Sequence, residues 1–394
     1  MIRNPEQFEQ LIAQVRRFIR EECIPLEASI DQSDEIPEAL VDRMRALGLF
    51  GHSIPEAYGG AGLTTEELAR VNIEVSQGAT TFRARFGGNT GIASESLVVD
   101  GTPEQRQRWL PLLASGELTG CFALTEPEAG SDATALQTVA VPEAGDFYRI
   151  TGRKCYITNA PIAGLFTVFA RTDAKSKGAA GITAFLLERG TPGLSTPPGY
   201  RKLGQHGSPV GEVVLDDCRV HASAIVGAEA NLNHGFRTAM RALNKQRINL
   251  AGLCVGPAIR LVEEMVQRAS ARQQFGRPVA EFQLVQQMIA QSNTDVHAAR
   301  ALVLETARKR DDGHDVTMEA SMCKLFASEM CGRVADSAVQ VFGGGGYIAD
   351  NVAERFYRDV RLFRLYEGTS QIHLVNIARR TVAQVQARAT AEAA

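Results

Sequence analysis

One tryptophan occurs among the 394 residues, and none of the seven cysteines falls in a Cys-x-x-Cys pair. Odd in number and scattered from Cys23 to Cys331, these cysteines exclude a disulfide-stapled scaffold. They fit reduced thiols, and a cytoplasmic protein is expected. The start of the chain, with Glu6 and Glu9, has no apolar signal core and is too acidic for a transit peptide. No apolar stretch, Ala160 to Ala170 included, approaches the roughly 20 residues that cross a bilayer, so no membrane association is expected. An excess of basic residues is also missing. Lys and Arg number 42 against 45 Asp and Glu, a net charge of −3, which argues against nucleic acid as a partner.

Common catalytic signatures are absent as well. The histidines, from His52 to His373, never fall at metal-ligand spacing with cysteine or carboxylate, so no metal is expected. The Gly-x-Ser-x-Gly elbow of a serine hydrolase is missing, as is the Gly-Lys-Ser/Thr of a P-loop. Read alone, Gly343 to Gly346 is a turn that ends a helix.

What remains is a chain of ordinary globular composition, 44% apolar and 22% charged, in three zones. Residues 1–120 carry apolar residues at helical spacing, as in Phe8, Leu11, Ile12, Val15 and Ile19, with Pro25 and Pro37 expected to separate the runs. Residues 121–230 turn to short β-rich runs punctuated by Gly, Pro and Asp, which predicts an antiparallel β domain. Residues 231–394 return to long amphipathic helices, with Pro257 and Gly313 expected at boundaries and a loosely ordered tail after Arg388.

Two segments stand out chemically. Leu124 to Asp132 packs hydroxyls, acids and a turn-forming glycine into nine positions. Leu365 to Gln371 sets Glu367 before a glycine and a Thr-Ser pair able to cap a helix. In isolation, Glu367 reads first as a carboxylate favoured by a helix dipole.

These segments, together with Gly152 to Ala160, Arg272 to Pro278 and Gln340 to Tyr347, resemble the acyl-CoA dehydrogenase family in order and across nearly the whole chain. The resemblance implies an α+β multidomain fold: an N-terminal helical domain, a middle antiparallel β domain and a C-terminal four-helix bundle. It further implies FAD bound between the last two. Phe122, Leu124, Thr125, Gly130 and Ser131 would then contact the flavin, with Ser131 also near the acyl-CoA, while Tyr156 and Thr158 flank the ring. Arg272, Gln274 and Phe275 resemble the segment that reaches a neighbouring subunit's FAD. Gln340, Val341, Phe342, Gly343 and Gly344 resemble its pyrophosphate side, and Thr369 and Gln371 complete the set.

The same resemblance makes Glu367 the catalytic base that removes the α-proton of an acyl-CoA while the β-hydrogen leaves as hydride to the flavin. A carboxylate with a raised pKa in a dry pocket suits that task. Asn244, Lys245, Gln246 and Arg247 match the substrate-binding segment, although an aspartate is usual at position 244, and Gly368 lies beside the base. Arg83 and Arg85 align with the helix that closes the acyl end of the pocket. A buried, unpaired guanidinium there would call for a carboxylate on the acyl chain, whereas outward-facing arginines would call for nothing. The expected partners are acyl-CoA, an electron-transferring flavoprotein as acceptor and copies of the same chain in a homotetramer. An acyl-CoA oxidase, other flavin chemistry on this fold and a non-catalytic scaffold remain as alternatives.

Overall fold

A computed structural model of the protein describes residues 2–392. Helix α1 (Pro5–Arg17) starts where Asn4 accepts a hydrogen bond from the Gln7 N–H, and it buries Phe8, Ile12 and Val15. The expected break at Pro25 does not occur. The chain stays helical through a π turn at Phe18–Cys23 and a 3₁₀ turn at Ile24–Leu26 into α2 (Glu27–Ser33), since changed turn widths absorb the missing proline N–H. Helices α3 (Glu38–Ala46), α4 (Thr65–Val75), α5 (Thr80–Gly87), α6 (Ile92–Asp100) and α7 (Pro103–Ser115) follow. Capping boxes at Thr64/Glu67 and Thr102/Gln105 fix the starts of α4 and α7.

The middle of the chain forms β1 (Gly120–Ala123), β2 (Val139–Glu143), β3 (Phe147–Thr158), β4 (Leu165–Arg171), β5 (Ile182–Glu188), β6 (Leu194–Ser195) and β7 (Val210–His221). Their order is β1-β4-β2-β3-β7-β6, with β5 on β4. Pairing is mainly antiparallel, but β1 runs parallel to β4, and Val139 of β2 pairs parallel with Arg171. Strand β4 is buried along Leu165 to Ala170, as its unbroken apolar run requires. Between Lys154 and Ile157 the β3/β7 register slips. This irregularity puts Tyr156 at a φ of 58° and leaves it 69% exposed, while Lys154 turns inward.

The last zone holds α8 (Gly235–Ala271), the hairpin strands β8 (Gln273–Gln274) and β9 (Arg277–Pro278), α9 (Gln283–Asp311), α10 (Thr317–Phe342), α11 (Val352–Val360) and α12 (Ser370–Glu392). Helices α8, α9 and α10 pack on one another, with α12 against α10, around Leu261, Met265, Val303, Met330 and Val334. Pro257, expected at a boundary, lies inside the 37-residue α8. Burial from Gln246 to Ala258 and close approach to α4 through Gly252 and Gly256 hold that helix together where local preference would break it. The tail also differs from expectation, because alanine favours the helix that continues to residue 392.

Two buried links join the ends of the chain. Glu27 accepts the Ala79 N–H at 2.7 Å on one oxygen and an Arg355 N–H at 2.6 Å on the other. Asp359 of α11 accepts the Gln205 N–H and the Thr80 hydroxyl.

Candidate active site

The turn between α11 and α12 has a left-handed backbone. Glu367 has a φ of 54° and Gly368 a φ of 95°, two consecutive left-handed residues before Thr369 caps α12 by accepting the Ile372 N–H. A non-glycine residue held there costs of order 1 kcal/mol or more, and such strain collects at functional sites. Two bonds restrain the turn. The Lys324 ammonium donates to the Gly368 carbonyl at 2.6 Å, and His373 Nε2 lies 3.2 Å from the Glu367 carbonyl. Burial lowers the His373 pKa to about 3, so the ring is neutral and Nε2–H is the donor, leaving Nδ1 without a partner.

Glu367 opens onto a cleft of about 190 Å³ lined by Arg83, Gly87, Phe122, Thr125, Tyr156, Thr158, Gln246 and Leu250, among others. This is smaller than the roughly 300–1,000 Å³ of drug-sized ligand sites, so only part of a large ligand can enter. Glu367 Oε2 is sealed from solvent and has no hydrogen-bond partner. Burial raises the carboxyl pKa to about 7, against the opposing pull of Arg247, Lys324 and Arg83. Among the described residues, the Glu367 N–H also has no partner.

The wall that α5 and α8 contribute to the cleft is polar. Arg83 is buried, with Nε donating to Asn72 Oδ1 at 2.8 Å and the guanidinium over the Phe86 ring, and burial lowers its pKa to about 10. Its two Nη groups have no hydrogen-bond partner among the described residues. On α8, Gln246 Nε2 and Asn249 Oδ1 are sealed and unpartnered. Arg85 does not line the cleft: it donates to Thr119 Oγ1 at 3.2 Å and lies over Phe50.

Opposite this wall the chain presents unused donors. The N–H groups of Thr125, Gly130 and Ser131 have no partner among the described residues, and a side chain added to Gly130 would meet open space. A flat ligand with carbonyl and phosphate edges fits such a surface. The Leu124 to Ser131 loop is held from behind. Lys154, fully buried, donates to Glu126 Oε1 at 2.7 Å and to the Leu124 carbonyl, while Glu126 accepts the N–H groups of Gln137 and Thr138.

Of the residues expected at the site, Arg83, Phe122, Thr125, Tyr156, Thr158, Gln246 and Glu367 line one cleft. Leu124 is buried beside it, and Gly130 and Ser131 are exposed at its edge. Asn244 accepts from Arg247 Nη1 at 2.9 Å, so the amide orients that arginine without a carboxylate, and Lys245 is paired with Glu95. Arg272, Gln274 and Phe275 lie on the exposed β8/β9 hairpin, with Phe275 93% exposed, and Gln340 to Gly344 end α10, both away from the cleft lining. Lys324 and His373 were not anticipated. The signal for Lys324 was a lone charge in the apolar stripe of Ala320, Cys323, Ala327 and Cys331; His373 lies one turn after the cap of its helix.

Residues 5–117, 121–218 and 233–382 match the N-terminal, middle and C-terminal domains described for acyl-CoA dehydrogenase. A 3-(aryl)acrylate reductase of Clostridium sporogenes is 39% identical over 95% of this chain and 98% of its own. A subunit of a caffeyl-CoA reductase–Etf complex of Acetobacterium woodii is 36% identical over 89% of this chain and 91% of its own. The solved butyryl-CoA dehydrogenase of Megasphaera elsdenii superposes with a TM-score of 0.92 at 31% identity, covering 97% of this chain and 100% of that one.

Proposed function

The chain belongs to the acyl-CoA dehydrogenase family, as an FAD-dependent oxidoreductase acting on acyl-CoA, and from that premise we propose that Glu367 is the base of its α,β-dehydrogenation. The observation that carries this reading is the unpartnered Glu367 Oε2 at the floor of the cleft, its pKa raised to about 7 by burial. FAD supplies the hydride acceptor, at N5, for the β-hydrogen. Glu367 takes the α-proton, and its free N–H donates to the thioester oxygen as negative charge develops there. The product is a trans-2-enoyl-CoA. Phe122, Leu124, Thr125, Gly130 and Ser131 would hold the flavin on one side, with Tyr156 and Thr158 along its ring and Thr369 and Gln371 near its end.

The exposed hairpin residues Arg272, Gln274 and Phe275, with Gln340 to Gly344, would complete the FAD site of a second copy, and a homotetramer is the proposed assembly. An electron-transferring flavoprotein is the proposed acceptor, supported by the Etf complex of the Acetobacterium relative. The buried free thiols support a reducing compartment, the cytoplasm.

The proposed substrate is an acyl-CoA ending in a carboxylate. Arg83 donates through Nε to Asn72 alone and Gln246 Nε2 is sealed without a partner, so a carboxylate would meet donors here that a plain hydrocarbon would leave unused. Two relatives named as reductases favour a second reading of direction, in which protonated Glu367 returns a proton to the α-carbon of an enoyl thioester. A pKa near 7 makes both forms of Glu367 available at neutral pH.

Anaerobic titration of the yellow holoenzyme with straight-chain, branched and dicarboxylic acyl-CoA thioesters tests the reading. Bleaching of the oxidised flavin by a dicarboxylic thioester at the lowest concentration is expected. Bleaching by straight chains alone removes the carboxylate, and no bleaching by any thioester removes the dehydrogenase chemistry.

A further inference from the structure

Lys324 is an expensive residue in its place. It sits in the apolar face of α10 with no exposed surface, and its single hydrogen bond among the described residues goes to Gly368. That carbonyl belongs to the residue after Glu367, in the left-handed pair that aims the carboxyl into the cleft. The groups facing the ammonium are Glu367 itself, Cys254 and Arg247 of α8, and Glu329 of its own helix. His373 holds the preceding carbonyl from the opposite side.

We infer that Lys324 is a positioning residue for the proton transfer, clamping the Glu367–Gly368 turn through the Gly368 carbonyl and supplying the buried positive charge that keeps the Glu367 carboxylate ionisable. The inference rests on Glu367 being the base. The two roles act at different points. The hydrogen bond removes the turn's freedom to return to ordinary backbone angles, so the carboxyl and its own N–H meet substrate in one geometry. The charge, together with those of Arg247 and Arg83, opposes the burial that favours protonated Glu367 and so contributes to where in pH the base becomes active. Burial also lowers the Lys324 pKa to about 8, so above that pH the clamp loses its charge and activity declines on the alkaline side.

Two variants separate these roles. Lys324→Met keeps length and apolar packing but removes donor and charge. Lys324→Gln removes the charge and keeps an N–H donor on the Gly368 side, one atom shorter in reach. The holoenzymes are compared by FAD content, by flavin absorbance and by kcat and KM from pH 5 to 10. In Lys324→Met, kcat at neutral pH should fall about tenfold or more with KM little changed, and the acid limb should move upward by roughly one pH unit or more. Lys324→Gln should recover much of the kcat measured on its pH plateau while keeping the displaced acid limb.

Acid limbs that stay at the wild-type pH in whichever variants retain FAD overturn the inference and reduce Lys324 to packing. If Lys324→Met does not fold, Lys324→Gln decides the matter by its acid limb alone. If both lose FAD, the role is in assembly and the inference also fails. The wild-type titration separates these failures from that of the underlying chemistry, since flavin bleaching by a thioester stands whether or not the limbs move.

Discussion

Arg83 occupies the space that a methyl group on Gly87 would fill, so its guanidinium reaches the cleft past a residue with no side chain. The two positions are one turn apart on α5 and act as a pair. An arginine here is compatible with the fold because residue 87 is glycine, and the cleft is polar because residue 83 is arginine.

Replacing Arg83 by alanine should therefore lower kcat/KM for a dicarboxylic acyl-CoA by about 10- to 100-fold, the range of a charge-assisted hydrogen bond. A straight-chain acyl-CoA of equal length should be nearly unaffected. Arg85→Ala should leave the preference intact, because Arg85 is engaged by Thr119 and Phe50. Equal losses on both substrates would rule out recognition of a terminal carboxylate.

Gly87→Ala offers a second route to the same contact. The added methyl collides with Arg83 Nη1, which must swing aside. Selectivity for the carboxylate should drop as in Arg83→Ala, with the guanidinium still present. Unchanged selectivity in steady-state comparisons would mean that its position does not matter.

Loss of the proposed base, Glu367, should give the largest kinetic effect. Glu367→Gln should reduce turnover by about 10²- to 10⁴-fold while FAD stays bound. In the unaltered enzyme kcat should rise with pH through about 7, because the carboxylate is the active form. A flat profile between pH 5 and 8, measured with saturating substrate, would exclude Glu367 from the rate-limiting proton transfer.

The same carboxyl makes a prediction about stability. Its folded pKa of about 7 lies above the ordinary 4.5, so between these values the folded state binds more protons than the unfolded. Stability therefore falls as pH rises through that window, and the cost is fully present above pH 7. At about 1.4 kcal/mol per pH unit it reaches at most roughly 3 kcal/mol. Glu367→Gln should be more stable than the parent at pH 8 and nearly equal to it at pH 4.5, as followed by thermal melts. A gain independent of pH would assign the effect to something other than ionisation.

Behind the cofactor loop, Lys154 and Glu126 are both buried. Lys154→Met strands a carboxylate and should cost roughly 3–5 kcal/mol, with release of FAD at lower temperature. Adding Glu126→Gln should restore part of the loss, since the amide oxygen still accepts from Gln137 or Thr138. A double variant no better than the single one would show that the ion pair is not the source of the loop's order.

The helical, β and helical zones were legible because period and breaker residues report local structure. The partners of the strands were not. A β-rich apolar run marks β4 as a strand but carries no information on its parallel pairing with β1, which depends on the chain between them. Pro25 and Pro257 misled for a related reason: tertiary packing overrode a local preference. At the site, the segments that bring Phe122, Thr125, Tyr156, Thr158 and Glu367 to one cleft stand out in the sequence by order and residue type. The choice between Arg83 and Arg85 could not, because two residues on a helix turn a side chain to the other face. Lys324 signalled only as a lone charge in an apolar stripe, and the contacts of Lys324 and His373 depend on a left-handed turn that residue type alone does not reveal.

The Glu27–Arg355 link also sets an order of events during synthesis. At roughly 5–20 residues per second, the 328 positions between these two take on the order of 15–65 seconds to translate. Ala79 arrives early and satisfies one oxygen of Glu27; the other waits for nearly the whole protein. Until then, the ribosome carries an N-terminal helical layer with an uncompensated acid at its future interior. Closing that layer over Glu27 before α11 emerges would bury the acid without its Arg355 partner, which disfavours closure until late in synthesis.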